Sequence, residues 1–392
     1  MRESVAPNSP AVAIAGCGVT SAVGRGVASL RTAMRTNQSG LRACERFNGP
    51  LFQSNIVGAA PLAGVGGDLD DPAHQLATEA LREAREQAHE VLAAIPETRV
   101  GLVLSTTKAN IEALERLADG RPCSTAAQRH LQSNPLAADL AAANGASGPV
   151  QCVSVACVSG LVALQQGAKL IQRGVADAVL VVGVDHLSAF VVAGFTALKA
   201  IDTVGCRPFD RDRGGLSPGE AGAALVLARA DLAPLSAIRL LGWGNSNDAN
   251  HLTGPSRDGS GLALAIRRAL DSAQLPPSGI DYVNAHGTGT PYNDAMESLA
   301  LRAVFGEHCP PVSGAKGMLG HTLGAAGLIE TILCVLALED RWLPGTPRLV
   351  FPAEGAPASL LIEPRSAARL DRVLKLNTGF GGVNGALILG HE

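Results

Sequence analysis

Three reactive side chains stand beside short apolar runs of the kind that form strands. Cys157 follows the run Val150–Val155, and apolar residues recur every three or four positions after it. His286 follows the run Tyr282–Ala285 and precedes a turn rich in glycine and threonine. His321 follows a glycine and precedes a segment of helical spacing that is rich in small residues. All three are therefore predicted to lie at strand-to-helix turns, which expose their side chains.

This combination predicts acyl transfer by a cysteine nucleophile. A cysteine at a helix start lies near unpaired N–H groups and the positive end of the helix dipole, which favour the thiolate. The same N–H groups can stabilise an oxyanion after acylation. Two imidazoles can donate to the enolate oxygen that forms when a malonyl thioester loses CO2, while the cysteine holds the acyl electrophile nearby. Each residue alone is more often structural, so the prediction depends on their conjunction.

The elements that position these residues alternate along the whole chain, which predicts α/β layers with helices covering buried sheets. Predicted strands are Ala11–Ala15, Val100–Ser105, Val150–Val155, Ala178–Val184, Ala223–Ala228, Ile238–Gly242, Tyr282–Ala285 and Ala386–Leu389. Predicted helices are Pro72–Ala94, Gly160–Arg173, Gly261–Ala273 and Gly324–Leu338.

Two strand-to-helix units look alike, VQCVSVACVSGLVALQQGAKLI around Cys157 and VSGAKGMLGHTLGAAGLIETIL around His321. This similarity indicates two related halves. The segment Asp231–Ser236, which contains a proline, is the best candidate for their boundary. We therefore expect domains at 1–235, with the nucleophile, and 236–392, with both histidines.

Composition excludes several classes of function. The 392 residues carry a formal net charge of −3, so there is no basic footprint for nucleic acid. No uninterrupted apolar run is long enough to span a membrane, and the polar N-terminus lacks a secretory pattern, so we expect a cytoplasmic protein. The eight cysteines include no CxxC pair, which argues against a zinc site or a disulfide framework. Nucleotide-binding glycine loops are absent from the sequence, and no bound cofactor is expected.

Four motifs in order resemble the β-ketoacyl-acyl carrier protein synthases of the elongating, Cys-His-His type in the thiolase-like superfamily. They are VSVACVSG, NAHGTGTPYND, SGAKGMLGHTLGAAG and NTGFGGVNGALIL. In addition, the segment CRPFDRDRGGLSPGEAGAALVL matches the strand-loop-strand that follows the nucleophile in this family. The resemblance covers essentially the whole chain. It implies two similar halves in five αβαβα layers, a dimer, and decarboxylative condensation of an acyl thioester with malonyl-acyl carrier protein.

The resemblance also implies roles for individual residues. Cys157 takes the acyl group, and His286 and His321 assist decarboxylation and stabilise the enolate. The N–H groups of Cys157 and Phe380 form the acyl oxyanion hole, and Phe380 is also the gate beside the cysteine. Lys316 matches the buried lysine of the family.

Further residues are implied to position the substrate and its carrier. Glu297 matches the carboxylate near Lys316, and both order the histidine network. Thr288 and Thr290 hydrogen-bond the phosphopantetheine arm of the acyl carrier protein, which carries the substrates. Lys199 matches a basic docking position for that carrier.

Two positions depart from the family pattern. Thr378 stands where many members have a second phenylalanine, which bears on gate closure. Lys108, after Thr107, stands where small or apolar residues usually shape the end of the acyl pocket. If Lys108 points into the dimer interface, a long saturated chain leaves its ammonium buried and unpaired. The hypothesis that follows is a short, polyunsaturated or aryl-primed substrate.

Other functions stay open at this stage. The main alternative is a partner subunit like the chain-length factors, which pair with active synthases in heterodimers and typically lose the nucleophile that this chain keeps. A decarboxylase that never condenses is a third candidate, although its cysteine is usually replaced. A pure binding module would not need the full set of residues. Homodimer and heterodimer are both compatible with the sequence.

Overall fold

The computed structural model describes residues 10–62 and 69–391. Its strands are β1 (Val12–Ser21), β2 (Gly24–Arg25), β3 (Arg42–Ala43), β4 (Ile56–Val57), β5 (Val100–Ser105), β6 (Val150–Val153), β7 (Ala178–Asp185), β8 (Ala221–Arg229), β9 (Arg239–Asn247), β10 (Tyr282–Ala285), β11 (Val312–Gly314), β12 (Trp342–Leu343), β13 (Arg365–Ser366), β14 (Arg372–Gly379) and β15 (Val383–Gly390). Its α-helices are α1 (Val27–Thr36), α2 (Pro72–Gln87), α3 (His89–Ala93), α4 (Ile111–Ala118), α5 (Thr125–Arg129), α6 (Ser133–Ala143), α7 (Ser159–Gln172), α8 (Ala189–Ala197), α9 (Ser260–Ala273), α10 (Pro291–Phe305), α11 (Lys316–Leu319) and α12 (Ala326–Asp340).

Two groups of five strands have the same topology. The first runs in the order β1-β8-β7-β5-β6 and the second in the order β9-β15-β14-β10-β11. In each group the three strands furthest from the junction pair in parallel, and the other pairings are antiparallel. A short antiparallel pairing of β1 with β9 joins the groups.

Helices cover both groups in five layers. Helices α2 and α6 pack on the outer face of the first group, and α9 packs on the outer face of the second with α10 against it. Helices α7 and α12 lie between the groups and contact strands of both. Every residue of Ala326–Leu338 in α12 is buried, as expected of a helix with sheets on both sides. The observed architecture is the α/β, thiolase-like αβαβα fold that was expected.

The central helices cross at two glycines. A Cβ at Gly160 of α7 would lie 2.8 Å from the Leu328 nitrogen and 2.9 Å from Gly327 Cα. A Cβ at Gly327 of α12 would lie 2.6 Å from the Leu161 nitrogen. Only glycine at both positions permits this approach. The crossing brings together the N-terminal ends of the two helices that follow Cys157 and His321.

The predicted elements are all present, although most of their ends differ, and β1 and β9 are several residues longer than predicted. The predicted helix Pro72–Ala94 is divided at Ala88 into α2 and α3. Strand β6 ends at Val153, because the Val155 N–H donates to Ser159 Oγ instead of to a neighbouring strand. Helix α12 begins at Ala326, after a 3-10 turn. Among the described residues, no helix is long and apolar enough to cross a membrane.

Candidate active site

A tight turn presents Cys157 at the start of α7. Ser159 Oγ accepts from the Val155 N–H at 2.7 Å and donates to the Ala156 carbonyl at 2.6 Å. Ala156 has φ +45°, a left-handed conformation that costs energy for a residue with a Cβ. No described side chain caps α7, so its first N–H groups remain near the thiol.

The structure brings Cys157, His286 and His321 together. The Sγ atom of Cys157 lies 3.0 Å from His321 Nε2. The two imidazole rings are edge to face, with centroids 5.2 Å apart and an interplanar angle of 80°. The cysteine sulfur and one nitrogen of each ring lie within 4.8 Å of one another, and all three residues are buried. The residues predicted as nucleophile and enolate donors thus form one cluster.

The hydrogen bonds of His286 identify its tautomer. Its Nδ1 lies 3.1 Å from Lys316 Nζ and 2.9 Å from Asn377 Nδ2, and both of these atoms are donors. Asn377 Nδ2 also faces Glu330 Oε2 at 3.3 Å, so the opposite amide orientation would place two oxygens together. Since Nδ1 must accept, the proton of a neutral His286 ring is on Nε2.

His321 has the same tautomer for a different reason. The backbone N–H of Leu323 donates to its Nδ1 at 3.3 Å, which leaves the proton on Nε2, the atom that faces Cys157. The backbone of His321 is held against the loop before β8, because its N–H donates to the Ser217 carbonyl at 2.7 Å. His321 therefore directs an N–H donor toward the cysteine, and one ring nitrogen of His286 lies within 4.8 Å of the sulfur.

Burial and positive charge keep the cluster electrically neutral. Burial and the Lys316 and Lys375 ammonium groups hold the pKa of both histidines well below the ordinary value. Burial raises the pKa of Cys157 to about 12, although Lys316 and the Phe380 N–H act in the opposite direction. The resting site therefore contains a thiol and two neutral imidazoles.

Distance alone would allow these three side chains to hold a metal ion, but the donor set does not fit one. A histidine that binds a metal through Nε2 must carry its proton on Nδ1. In both rings Nδ1 already accepts hydrogen bonds, which places the proton on Nε2. Two lysine ammonium groups behind the rings also disfavour a cation.

The carboxylate that bonds Lys316 is Glu330, which was not predicted; Glu297, the carboxylate expected near this lysine, attracts it but is not hydrogen-bonded to it in the described part of the chain. Lys316 is fully buried, and its Nζ lies 2.6 Å from Glu330 Oε1 and 2.6 Å from the His286 carbonyl oxygen. Burial opposes ionisation of Glu330, but Lys316 and Lys375 hold its pKa below the usual value. Glu330 comes from α12, which has two sheets around it, whereas Glu297 lies on α10 in the outer layer.

Glu297 orders the His286 turn through the backbone. Its two oxygens accept from the N–H groups of His286 and Gly287, each at 2.7 Å. Asn293 donates to the same carboxylate at 2.8 Å. Burial and the neighbouring Asp294 raise the pKa of Glu297 to about 7. Glu297 therefore fixes where β10 ends and His286 begins, as the sequence expectation of an ordering role requires.

Phe380 lies beside the cysteine on the turn between β14 and β15. Its backbone N–H hydrogen-bonds the Cys157 thiol, which places one predicted oxyanion-hole donor at the reacting atom. The Phe380 ring is 39% exposed and lies 6.1 Å from the ring of Phe195 on α8. Its role as a gate stays a prediction.

The predicted substrate-binding threonines lie on two sides of the cluster. Thr288 and Thr290 hydrogen-bond each other at 2.8 Å on the loop after His286. Thr378 is buried, and its hydroxyl donates to Asn293 Oδ1 at 2.7 Å. Thr378 is thereby tied to the Glu297 network, two residues before Phe380.

The ammonium of Lys108 is paired, so the expectation of an unpaired charge at the pocket end is wrong. Its Nζ lies 3.1 Å from Asp185 Oδ1, and its side chain is 7% exposed. Asp185 is fully buried and also accepts from the hydroxyls of Thr106 and Thr107. A carboxylate at the end of β7 therefore compensates the charge, and the argument against long saturated chains loses its premise.

Lys199, the predicted docking residue, is exposed just after α8 and has φ +54°. It is on the surface segment that follows Phe195, the neighbour of the Phe380 gate. The side chain is available to a partner that approaches the entrance.

Three residues of the site were not predicted: Glu330, Lys375 and Asn377. A signal for Glu330 exists in the sequence, because it is the single charged residue of the buried stretch Ala326–Leu338. Lys375 likewise interrupts the apolar part of β14. A charged residue inside a buried element must have a partner, but the sequence does not identify that partner.

Comparison with known proteins agrees with this site. The model of the β-ketoacyl synthase N-terminal domain matches residues 67–233, and the model of the β-ketoacyl synthase C-terminal domain matches residues 238–349. The chain therefore belongs to the β-ketoacyl synthase family, whose members are condensing enzymes of the acyltransferase class.

Individual relatives come from polyketide and fatty-acid synthesis. The chain is 33% identical to the putative polyketide β-ketoacyl synthase 1 of Streptomyces halstedii, over 96% of this chain and 97% of that protein. It is 31% identical to the 3-oxoacyl-[acyl-carrier-protein] synthase 2 of Coxiella burnetii, over 96% and 98%. The solved ishigamide ketosynthase/chain length factor superimposes with a TM-score of 0.89 at 31% identity, covering 98% of this chain and 100% of the other.

Proposed function

We propose that the chain condenses an acyl group held on Cys157 with malonyl-acyl carrier protein. The observation that carries the proposal is a cysteine sulfur within 4.8 Å of one nitrogen of each of two neutral imidazoles, whose Nδ1 atoms accept hydrogen bonds and thereby leave the proton on Nε2. Such an arrangement suits a reaction in which negative charge develops on the oxygen of an enolate beside an acylated cysteine.

The first half-reaction loads the nucleophile. The Cys157 sulfur attacks the carbonyl of an acyl thioester, and the Phe380 N–H with the N–H of Cys157 itself stabilises the tetrahedral oxyanion. The intermediate breaks the bond to the carrier thiol, which leaves with a proton. The acyl group is then held as a thioester on Cys157, a group that thiols form and break readily.

The second half-reaction makes the carbon–carbon bond. A malonyl thioester loses CO2, and the electron pair of the broken bond forms an enolate whose oxygen accepts from His286 and His321 Nε2–H. The enolate carbon attacks the Cys157 thioester. The tetrahedral intermediate collapses and breaks the carbon–sulfur bond, which leaves a β-ketoacyl chain on the carrier, and the released Cys157 thiolate takes up one proton from solvent. A buried, neutral site favours loss of the charged carboxylate as CO2.

The partners follow from the same proposal. The substrates are carried on the phosphopantetheine of an acyl carrier protein, with Thr288 and Thr290 binding the arm and Lys199 meeting the carrier surface. The 3-oxoacyl synthase relative, which is named for that carrier, supports this. The cytoplasmic location remains a prediction.

We also propose a division into domains 1–235 and 236–392. The identical strand order of the two groups supports it, because each group then falls in one domain.

A second candidate is a partner subunit in a heterodimer, comparable to a chain length factor. The similarity to the solved ketosynthase/chain length factor structure is the reason to consider this second candidate. The assembled Cys157, His286 and His321 cluster favours the condensing subunit instead. Activity that survives Cys157→Ala in a co-purified complex with a second synthase-like chain would support the second candidate.

Covalent labelling tests the nucleophile. Purified protein is incubated with cerulenin or with an acyl-acyl carrier protein, and the modified peptide is identified by mass spectrometry. We expect the label on Cys157 and its loss in Cys157→Ala. Cys17→Ala, a buried cysteine on β1, is the matched control and should label normally. A label on another cysteine, or none on folded protein, contradicts the proposal.

A further inference from the structure

A second buried lysine lies beside the Lys316–Glu330 pair. Lys375 on β14 has no exposed side-chain surface, and its Nζ lies 2.8 Å from Glu330 Oε2. The same ammonium faces the carbonyl oxygens of Leu376, Asn284 and Ala285. One buried carboxylate therefore bridges two buried ammonium groups.

With both lysines protonated this triad has a formal charge of +1, although burial lowers the pKa of Lys375 below its usual value against the attraction of Glu330. Unbalanced charge in a protein interior is unfavourable unless something compensates it. One lysine would suffice to pair Glu330 for structural purposes. The other carboxylates near the site compensate this charge little: Asp185 is paired with Lys108, and Glu297, whose pKa is raised to about 7, is only partly ionised near neutral pH. The excess charge is available to an anion that forms during the reaction.

We propose that Lys375 is a positioning residue of the condensation, and that its charge acts through His286 and His321 to stabilise the enolate of the malonyl thioester. This inference rests on the proposed function and deepens it. Lys375 touches Glu330 and not the reacting atoms, so its effect is transmitted by the triad.

A continuous series of polar contacts connects Lys375 to His286. Lys375 binds one oxygen of Glu330, and the other oxygen binds Lys316, which donates to His286 Nδ1. Asn377 also links Glu330 to His286, because its Nδ2 faces both residues. The triad thereby fixes the imidazole tautomer. Lys375 also contributes to the lowered pKa of both histidines, after burial and Lys316.

Charged and titratable groups from every neighbouring element take part in the electrostatics of the triad. They are Lys316 on α11, Glu330 and Cys334 on α12, Tyr282 on β10, His286, His321, Cys157, Lys108 and Asp185. Of these, Lys108 and Asp185 neutralise each other as a pair. The positive excess therefore comes from the triad.

The test compares neutral variants of Lys375 in the two half-reactions. Lys375→Met removes the charge at similar length, and Lys375→Gln also keeps a hydrogen-bond donor. We expect decarboxylation of malonyl-acyl carrier protein to fall by about 10- to 100-fold, with acylation of Cys157 within about 3-fold of wild type. We further expect the acid side of the pH–rate profile to move to higher pH, because removal of a positive charge lets the histidine pKa rise and protonation of Nδ1 opposes the Lys316 donor.

The matched control is Lys169→Met, which makes the same substitution at a half-buried lysine of α7 outside the triad. It should leave both half-reactions and the pH profile unchanged. Wild-type rates and profile in folded Lys375→Met or Lys375→Gln would overturn the inference, whereas an inactive wild type would instead overturn the proposed function. Failure of both variants to fold would mean that Lys375 serves the fold, and would also overturn the inference.

Discussion

The chemistry of the site depends on which nitrogen of each imidazole carries the proton. His286 and His321 reach the same tautomer through different partners, side-chain donors in one case and a backbone N–H in the other. An imidazole with Nε2–H stabilises an oxyanion, whereas the other tautomer would present a lone pair to it. The residues that touch Nδ1 therefore matter as much as the histidines themselves.

Substitution of Asn377 tests this dependence on the tautomer. In Asn377→Asp, a carboxylate replaces the donor at 2.9 Å and favours the proton on Nδ1 of His286. We expect kcat to fall by about 100-fold, compared with about 10-fold for Asn377→Ala, which removes the donor without reversing the preference. Steady-state kinetics with malonyl-acyl carrier protein measures both, and KM should change little. Equal losses in the two variants would contradict the tautomer argument.

At the scale of elements, the crossing of α7 and α12 sets the distance between nucleophile and histidine. In Gly327→Ala, the new methyl group would meet the Leu161 nitrogen at 2.6 Å and push the helices apart. We expect the free energy of unfolding to fall by about 1–3 kcal/mol and the rate of Cys157 acylation to fall as well. Urea denaturation and cerulenin labelling measure the two effects.

Gly194→Ala is the control for this prediction. Gly194 lies inside α8, and a Cβ there meets nothing within 4 Å, so alanine should be neutral or slightly stabilising. If Gly327→Ala is tolerated as well as Gly194→Ala, the glycine contact does not determine the crossing.

A histidine joins two helices of the outer layer and makes their packing depend on pH. His130 lies 2.5 Å from Asp71, which caps α2, and 2.9 Å from Asp139 on α6. The hydrogen bond to Asp71, with that to Asp139, raises the pKa of His130 despite burial. The pKa of His130 is higher in the folded state than in the unfolded state. Its contribution to the free energy of unfolding is therefore present at about pH 6 and below, and it is lost as pH rises through the folded-state pKa.

We therefore expect His130→Gln to destabilise the protein by roughly 1 kcal/mol more at about pH 6 than at about pH 9. Urea titrations at the two pH values measure the difference. His308→Gln, an exposed histidine, should show no such dependence. A larger loss at the higher pH would contradict the sign of the shift.

The sequence predicted the elements well because their signals are local. Apolar periodicity located every strand and helix that was expected, and Cys157, His286 and His321 were found because each stands at an element boundary. The close contact of Gly160 with Gly327 joins residues far apart in the chain, and no local pattern contains it. For the same reason Glu330 was missed as the partner of Lys316, and Asp185 as the partner of Lys108.

At the scale of the whole molecule, one surface indicates association. Leu114 and Leu117 on α4 and Phe190 on α8 are 52%, 46% and 65% exposed. The two helices are held together by Glu115, which accepts from the Phe190 N–H at 2.8 Å. Strand β6 is the edge strand at one end of the sheet, and its Val150 is exposed. A cluster of exposed apolar groups and an unpaired sheet edge each favour an interface.

We expect the purified chain to form a dimer with itself, or with a second synthase-like chain. Phe190→Glu places a charge in this surface and should shift the protein to monomer in analytical ultracentrifugation. Leu235→Glu, at an apolar residue that is 94% exposed outside the surface, is the control and should not. A dimer that is unchanged by Phe190→Glu would place the interface elsewhere.

The measurement that tests the central claim most directly is a single-turnover reaction with an acyl-acyl carrier protein and malonyl-acyl carrier protein, followed by intact-mass spectrometry of enzyme and carrier. The account predicts that an acyl group appears on Cys157 and then disappears as a β-ketoacyl carrier and one CO2 form. In Cys157→Ala it predicts that CO2 release persists without condensation. A β-ketoacyl product formed by folded Cys157→Ala, or none formed by the acylated wild-type enzyme, would contradict the account.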